Sequence, residues 1–145
     1  MKKQSIVIIE TNIDNMNPEL YPSVLERLMQ AGALDAYLTP IIGKKGRPAM
    51  KLTLSCLKKQ LSRVTEVVFR ETTTIGLRIT QADMHMLERE IKTLKTPYGD
   101  VRVKYSYLNG KIENATPEYE DCLRIARERK LPLKKIIDQV KKIVN

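Results

Sequence analysis

The chain has 145 residues, 42% of them hydrophobic, enough apolar content to bury a core in one compact domain or two small ones. With 26 Lys and Arg against 17 Asp and Glu it carries a net charge of +9, which favours anionic partners such as nucleotides, nucleic acid or acidic lipid. No Trp and a single Phe (Phe69) argue against an aromatic platform for stacked bases, and two isolated cysteines, Cys56 and Cys122, exclude a disulfide framework and predict a reducing, cytoplasmic setting.

In chain order, residues 5–10 form a β-branched apolar run of strand length, too short for a signal peptide or a membrane span. A polar stretch from Thr11 to Asn17 follows. Asn17 and Pro18 then supply an N-cap and a first helical residue, and Leu20, Val24, Leu25, Leu28 and Met29 recur at helical spacing until Gly32. Residues 35–42 and 50–56 read as strands of one hairpin, 57–69 as a second amphipathic helix and 74–80 as another strand. The order β-α-β-β-α-β predicts an α+β fold with a ferredoxin-like core over residues 1–81.

Beyond Gln81 the pattern changes. Residues 84–94 alternate loosely, 96–100 read as a turn, and Val101, Val103, Tyr105 and Tyr107 alternate strictly up to the hairpin signal Asn109-Gly110. Two amphipathic helices, 117–129 and 133–144, are separated by Lys130-Leu131-Pro132. A second subdomain over 82–145, a small β-meander followed by two helices, is the expectation.

The most chemically loaded segment is Gly43-Lys44-Lys45-Gly46-Arg47-Pro48 with Lys51 just beyond, where glycines free backbone N–H groups to turn toward an anion and the cations neutralise it. It does not match the GxxxxGK[ST] pattern, and a solvated basic turn is the competing reading. Glu10 and Asp14 end the first strand with two hard oxygen donors of the kind Mg²⁺ or Mn²⁺ accepts beside phosphate; a salt bridge for Glu10 and a turn cap for Asp14 is the structural alternative. Arg70 with Thr72, Thr73 and Thr74 offers a second phosphate-contact cluster, and Arg78 adds a cation, although β propensity alone also favours threonine there. Glu118, Tyr119 and Asp121 open a helix, where the dipole favours acidic residues whatever the function. His85 is the sole histidine, so neither a nucleophilic triad nor a transition-metal site can be assembled, and no catalytic residue is assigned.

Taken together, Glu10-Thr11-Asn12-Ile13-Asp14-Asn15-Met16-Asn17-Pro18-Glu19, Gly32-Ala33-Leu34-Asp35-Ala36, Lys44-Lys45-Gly46-Arg47-Pro48, Arg70-Glu71-Thr72-Thr73-Thr74-Ile75-Gly76 and Pro117-Glu118-Tyr119-Glu120-Asp121-Cys122 closely resemble the C-terminal domain of the LarC family. These are nickel-insertion proteins of nickel-pincer nucleotide cofactor biosynthesis. One departure is Asn15, where the family pattern has Asp. The resemblance implies a CTP-dependent cyclometallase of the lyase class, which places nickel in pyridinium-3,5-bisthiocarboxylic acid mononucleotide and hydrolyses CTP to CMP and diphosphate. It implies further that this portion binds CTP with Mg²⁺ or Mn²⁺ and builds a homo-oligomer, while nickel is handled by the full-length protein with its larger N-terminal portion. On that basis Lys44, Lys45, Arg47 and Lys51 become triphosphate contacts, Arg70, Thr72, Thr73 and Thr74 a second phosphate or nucleoside wall, and Asp14 the cation-proximal carboxylate; Arg78 and Glu10 join them, as a nucleotide contact and a metal ligand, on their own chemistry. The competing expectations are a noncatalytic oligomerisation or regulatory module and a nonspecific RNA-binding protein; neither a membrane nor a specific nucleic acid is expected as partner.

Overall fold

The computed structural model describes residues 1–144 and divides into two compact units, one comprising Lys3–Met84, the other His85 onward with Met1 and Lys2. In the first unit the order is β1 (Lys2–Ile13), α1 (Tyr21–Gln30), β2 (Ala33–Ile42), β3 (Pro48–Cys56), α2 (Leu61–Glu71) and β4 (Arg78–Met86). The sheet order is β2-β3-β1-β4, with β3 antiparallel to both β1 and β2, which is the ferredoxin-like arrangement.

Period-2 alternation in the strands decides which side chains meet the helices. Val7, Ile9, Ile13, Leu52, Leu54 and Cys56 join Val24, Leu28, Val64 and Val68 in one buried cluster, so α1 and α2 cover a single face. Glu10 and Asn12 on β1, with Lys51 and Thr53 on β3, have the opposite parity and project from the other face. Burying the sheet's apolar face supplies most of what holds this unit together, and every functional candidate in it hangs from this alternation.

Several boundaries differ from the sequence expectation. β1 runs to Ile13, because Thr11 and Asn12 pair with Leu52 and Lys51 of β3, Thr11 in keeping with its strand preference and Asn12 against its low one. The strand expected from residue 74 begins only at Arg78, with residues 78–80 inside β4, and residues 72–77 form a loop. The threonine hydroxyls are the cause. Thr72 Oγ1 donates to the Val68 carbonyl at 2.8 Å and accepts from the Thr74 N–H at 3.3 Å, and Thr74 Oγ1 donates to the Gly76 carbonyl at 3.1 Å, local bonds that compete with a strand ladder.

The helices also begin later than their apolar spacing suggests. Pro18–Leu20 and Lys58–Gln60 are single 3₁₀ turns that lead into α1 and α2. Asn17 Oδ1 accepts the Glu19 N–H at 3.1 Å and caps the first of them. Asn17→Ala is expected to lower stability by about 1 kcal/mol in urea titrations, the usual cost of an N-cap.

The second unit contains β5 (Glu88–Thr96), β6 (Gly99–Leu108) and β7 (Lys111–Pro117) as an antiparallel meander, followed by α3 (Tyr119–Arg129) and α4 (Leu133–Val144). Asn109 and Gly110 both take positive φ, 51° and 78°, the backbone that a two-residue hairpin requires. Val101 and Val103 of β6 bury with Cys122, Ile125, Ile136 and Val140 of the two helices. Pro117 closes β7 rather than opening the helix, since its missing N–H costs nothing on an edge strand, and the extended Glu118 then caps α3.

Candidate functional site

The candidates fall almost entirely in the unit Lys3–Met84. The β2–β3 connection is built by Gly43, whose N–H donates to the Arg47 carbonyl at 2.8 Å, and by Lys45 and Gly46 at positive φ of 60° and 69°. A lysine in the left-handed region is uncommon, and such backbone is held only where its surroundings enforce it. The paired arms do that, through Ile42 opposite Pro48 and Ile41 opposite Ala49. Lys44, Lys45 and Arg47 are exposed and have no ion-pair partner among the described residues.

At the foot of this loop lies an open cavity of about 420 Å³, lined by Ile13, Asp14, Tyr21, Ile41, Ile42 and Met50 among others. Asp14 is the one charged residue of its lining. The end of β1 and both arms of the hairpin meet there because Ile13 pairs with Met50, which pairs in turn with Pro40. The fold thus brings the first-strand carboxylate and the root of the basic loop to one cavity, residues some thirty positions apart in the chain.

Glu10 goes elsewhere. Its Oε1 accepts from Lys51 Nζ at 2.9 Å and its Oε2 lies 3.9 Å from Arg78 Nε, while Arg78 Nη2 donates to Asn12 Oδ1 at 3.0 Å. Lys51 foremost, then Arg78, holds the Glu10 carboxyl below its ordinary pKa. Glu10 does not line the cavity of Asp14, and its carboxylate is engaged by Lys51 and Arg78 instead. Of the two structural alternatives read from the sequence, the salt bridge of Glu10 is present.

The threonine cluster is tied to the end of β1. The buried Thr11 hydroxyl donates to Thr74 Oγ1 and lies 2.9 Å from the Gly76 carbonyl, and Thr73 Oγ1 donates to Asn15 Oδ1 at 2.6 Å. Each hydroxyl of Thr72, Thr73 and Thr74 is engaged within the protein. Arg70 turns to Glu66 at 2.7 Å, one turn back on α2. Sequence reading missed Thr11, Asn12 and Thr53 as members of this region; extending the period-2 pattern of β1 past Glu10 would have found the first two.

In the second unit Asp121 is structural. It accepts from Arg102 through the backbone N–H and Nε, each 2.9 Å from Oδ2, and through Nη2 at 3.0 Å, and these bonds hold its pKa down at about 2. Glu118 pairs with Lys104 at 3.2 Å, and Tyr119 is exposed. Cys56 and Cys122 are both buried, which pushes their thiol pKa values up. Among the described residues no group of three or more His, Cys, Asp or Glu side chains converges, and no helix is long and apolar enough to cross a membrane.

Comparison with known proteins gives this geometry its context. The profile of a family described as Nickel insertion protein matches residues 1–137. The chain belongs to this family. The pyridinium-3,5-bisthiocarboxylic acid mononucleotide nickel insertion proteins of Clostridium kluyveri and Acetivibrio thermocellus are 47% and 44% identical to this chain, over 93% and 96% of its length. It spans only 34% of each, about a third of the length of the curated relatives it matches. A solved structure of LarC2, described as the C-terminal domain of a cyclometallase involved in the synthesis of the NPN cofactor of lactate racemase, superposes with a TM-score of 0.92 at 34% identity, covering 99% of both chains. The fold extends further: a protein from Methanopyrus kandleri shares it with a TM-score of 0.72, 97% of this chain and 88% of the other, at 17% identity.

Proposed function

We propose that this chain is the nucleotide-handling portion of a nickel insertion protein and binds CTP together with Mg²⁺ or Mn²⁺. In the larger protein that binding serves insertion of nickel into pyridinium-3,5-bisthiocarboxylic acid mononucleotide, with CTP and water giving CMP and diphosphate. The observation that carries the reading is the meeting of Asp14 with the root of the basic loop at one apolar cavity. The loop cations Lys44, Lys45 and Arg47, unpaired among the described residues, face no internal carboxylate that would compete with a triphosphate.

The donor set suits a hard divalent ion bound chiefly through phosphate oxygens and water: one exposed carboxylate, Asp14, and no cluster of His or Cys. Bound there, the ion supplies charge neutralisation for a triphosphate. The chain's own residues do the rest. Lys44, Lys45 and Arg47 stabilise the negative charge that gathers on a departing diphosphate, and the cavity wall of Ile13, Tyr21 and Ile41 excludes water from one side of the ligand. Nickel enters as cargo. The described residues hold no soft donor cluster, which supports reading this chain as the part that handles nucleotide.

Isothermal titration of the chain with CTP, ATP and GTP, each with and without Mn²⁺ at moderate salt, tests the proposal. Saturable binding of CTP that requires the cation is the expected result. Binding of no nucleotide would overturn it, and affinity for RNA that collapses steeply with salt would favour nonspecific polyanion binding instead.

A further inference from the structure

The cavity at the root of the basic loop holds one polar group that charge neutralisation leaves unused. Tyr21 opens α1 and lines the cavity, while its ring belongs to the buried cluster of the first unit, so the residue is only 7% exposed. Among the described residues Tyr107 is the one tyrosine whose hydroxyl bonds within the protein, and the Tyr21 hydroxyl has no such partner. Nor is it sealed in, since Thr53 Oγ1 is the one wholly enclosed side-chain atom there without a partner. The free hydroxyl of a buried tyrosine therefore opens on the space that the residue lines. Burial pushes its phenol pKa up, so it is an O–H donor at neutral pH. The rest of the lining offers a polar ligand little else. Pro18, Pro40 and Pro48 carry no N–H, Ile41 and Met50 are apolar, and the Asp14 carboxylate only accepts. Tyr21 is the single side-chain donor of this cavity.

We infer that the cavity seats the base of the nucleotide and that the Tyr21 hydroxyl donates to an acceptor on the edge of the ring, fixing its orientation. A pyrimidine has the matching chemistry. Its two faces are apolar enough to lie against Ile41, Met50 and the proline rings, and its edge carries a carbonyl oxygen and a ring nitrogen that accept hydrogen bonds. A triphosphate does not match, because apolar walls would strip water from its charges and return nothing. The phosphates stay at the rim with Lys44, Lys45 and Arg47, outside the cavity. Tyr21 is then the residue that tells a nucleotide from a bare triphosphate. This assignment rests on the nucleotide reading, to which it adds which end of the ligand enters the cavity and which side chain meets it.

Tyr21→Phe removes the hydroxyl and keeps the ring. Calorimetric titrations of the full chain with CTP and with inorganic tripolyphosphate, both in Mn²⁺ at moderate salt, read the two ends of the ligand separately. The variant is expected to bind CTP about tenfold more weakly than the parent, the loss of one hydrogen bond, and tripolyphosphate equally well. Its melting temperature should match the parent's, because the hydroxyl holds nothing within the fold. Tyr37→Phe, at an exposed tyrosine of β2, is expected to change neither affinity. Unchanged CTP affinity in Tyr21→Phe overturns the inference. An equal loss for both probes also overturns it, by making Tyr21 part of the phosphate site or of the scaffold, as does a loss of CTP affinity that Tyr37→Phe reproduces. The two readings fail distinguishably: a parent that binds CTP with Mn²⁺ beside a Tyr21→Phe variant that binds it equally sinks this one alone. A parent that binds no nucleotide sinks the nucleotide reading, and this assignment with it.

Discussion

Replacing Lys45 and Arg47 together by alanine is expected to weaken Mn²⁺-dependent CTP binding by about 100-fold while leaving the melting temperature unchanged. Each cation contributes charge-assisted hydrogen bonds to a phosphate, and losing about 1.4 kcal/mol at each of two exposed positions multiplies to that factor. Folding is insulated because both side chains are exposed and neither has an ion-pair partner among the described residues. The bonds that shape the loop are backbone bonds, Gly43 to Arg47 and Arg47 to Lys44, and they survive the substitution. Lys45 holds left-handed backbone that alanine adopts no less readily than lysine, so the strain is unchanged. Calorimetric titration of the double variant beside the parent makes the measurement. Equal affinities would remove the loop from the nucleotide site.

Acid is expected to destabilise the second unit through one residue. Asp121 is 14% exposed and its carboxyl is held at about 2 against an ordinary 3.8 by Arg102, through both guanidinium and backbone. Because the folded-state value lies below the unfolded one, the contribution is fully present above about pH 5 and is lost as pH falls toward 2. A displacement of this size contributes about 2 kcal/mol at neutral pH. Asp121→Asn should therefore lower the stability of this unit by about that amount at pH 6 and flatten its pH dependence between 5 and 2. Amide hydrogen exchange in α3 between pH 6 and pH 3 follows the unit directly. A variant with the parent's protection at pH 6 would show that the clamp between Arg102 and Asp121 adds nothing to stability.

Together the two predictions separate ligand recognition from scaffold. Basic residues of the β2–β3 loop are surplus to folding, whereas Arg102, equally basic, is spent on Asp121. Charge alone does not distinguish these cases. A free cation on a strained loop and a cation clamped to a half-buried carboxylate look alike in a list of residues, and only their partners tell them apart.

Where the signal was local, the chain itself determined the outcome. A β-branched apolar run placed β1, alternation placed β3 and β6, helical spacing placed α1, α2 and α4, and Asn109-Gly110 demanded its hairpin because few residues other than Asn and Gly accept positive φ. The order of elements followed from these, and with it the ferredoxin-like sheet. The basic loop, too, was visible as composition. Tertiary structure decided what pairs with what. Whether Glu10 would hold a metal or a lysine depended on β1 and β3 being neighbours in register, a contact between residues 41 positions apart. The fate of residues 72–77 turned on threonine hydroxyls finding carbonyls and Thr11, bonds whose free energy exceeds a strand preference too weak to prevail alone. And Asp14 met the basic loop only because closing the sheet set the end of β1 beside the hairpin arms, a distance in space that no spacing in sequence encodes.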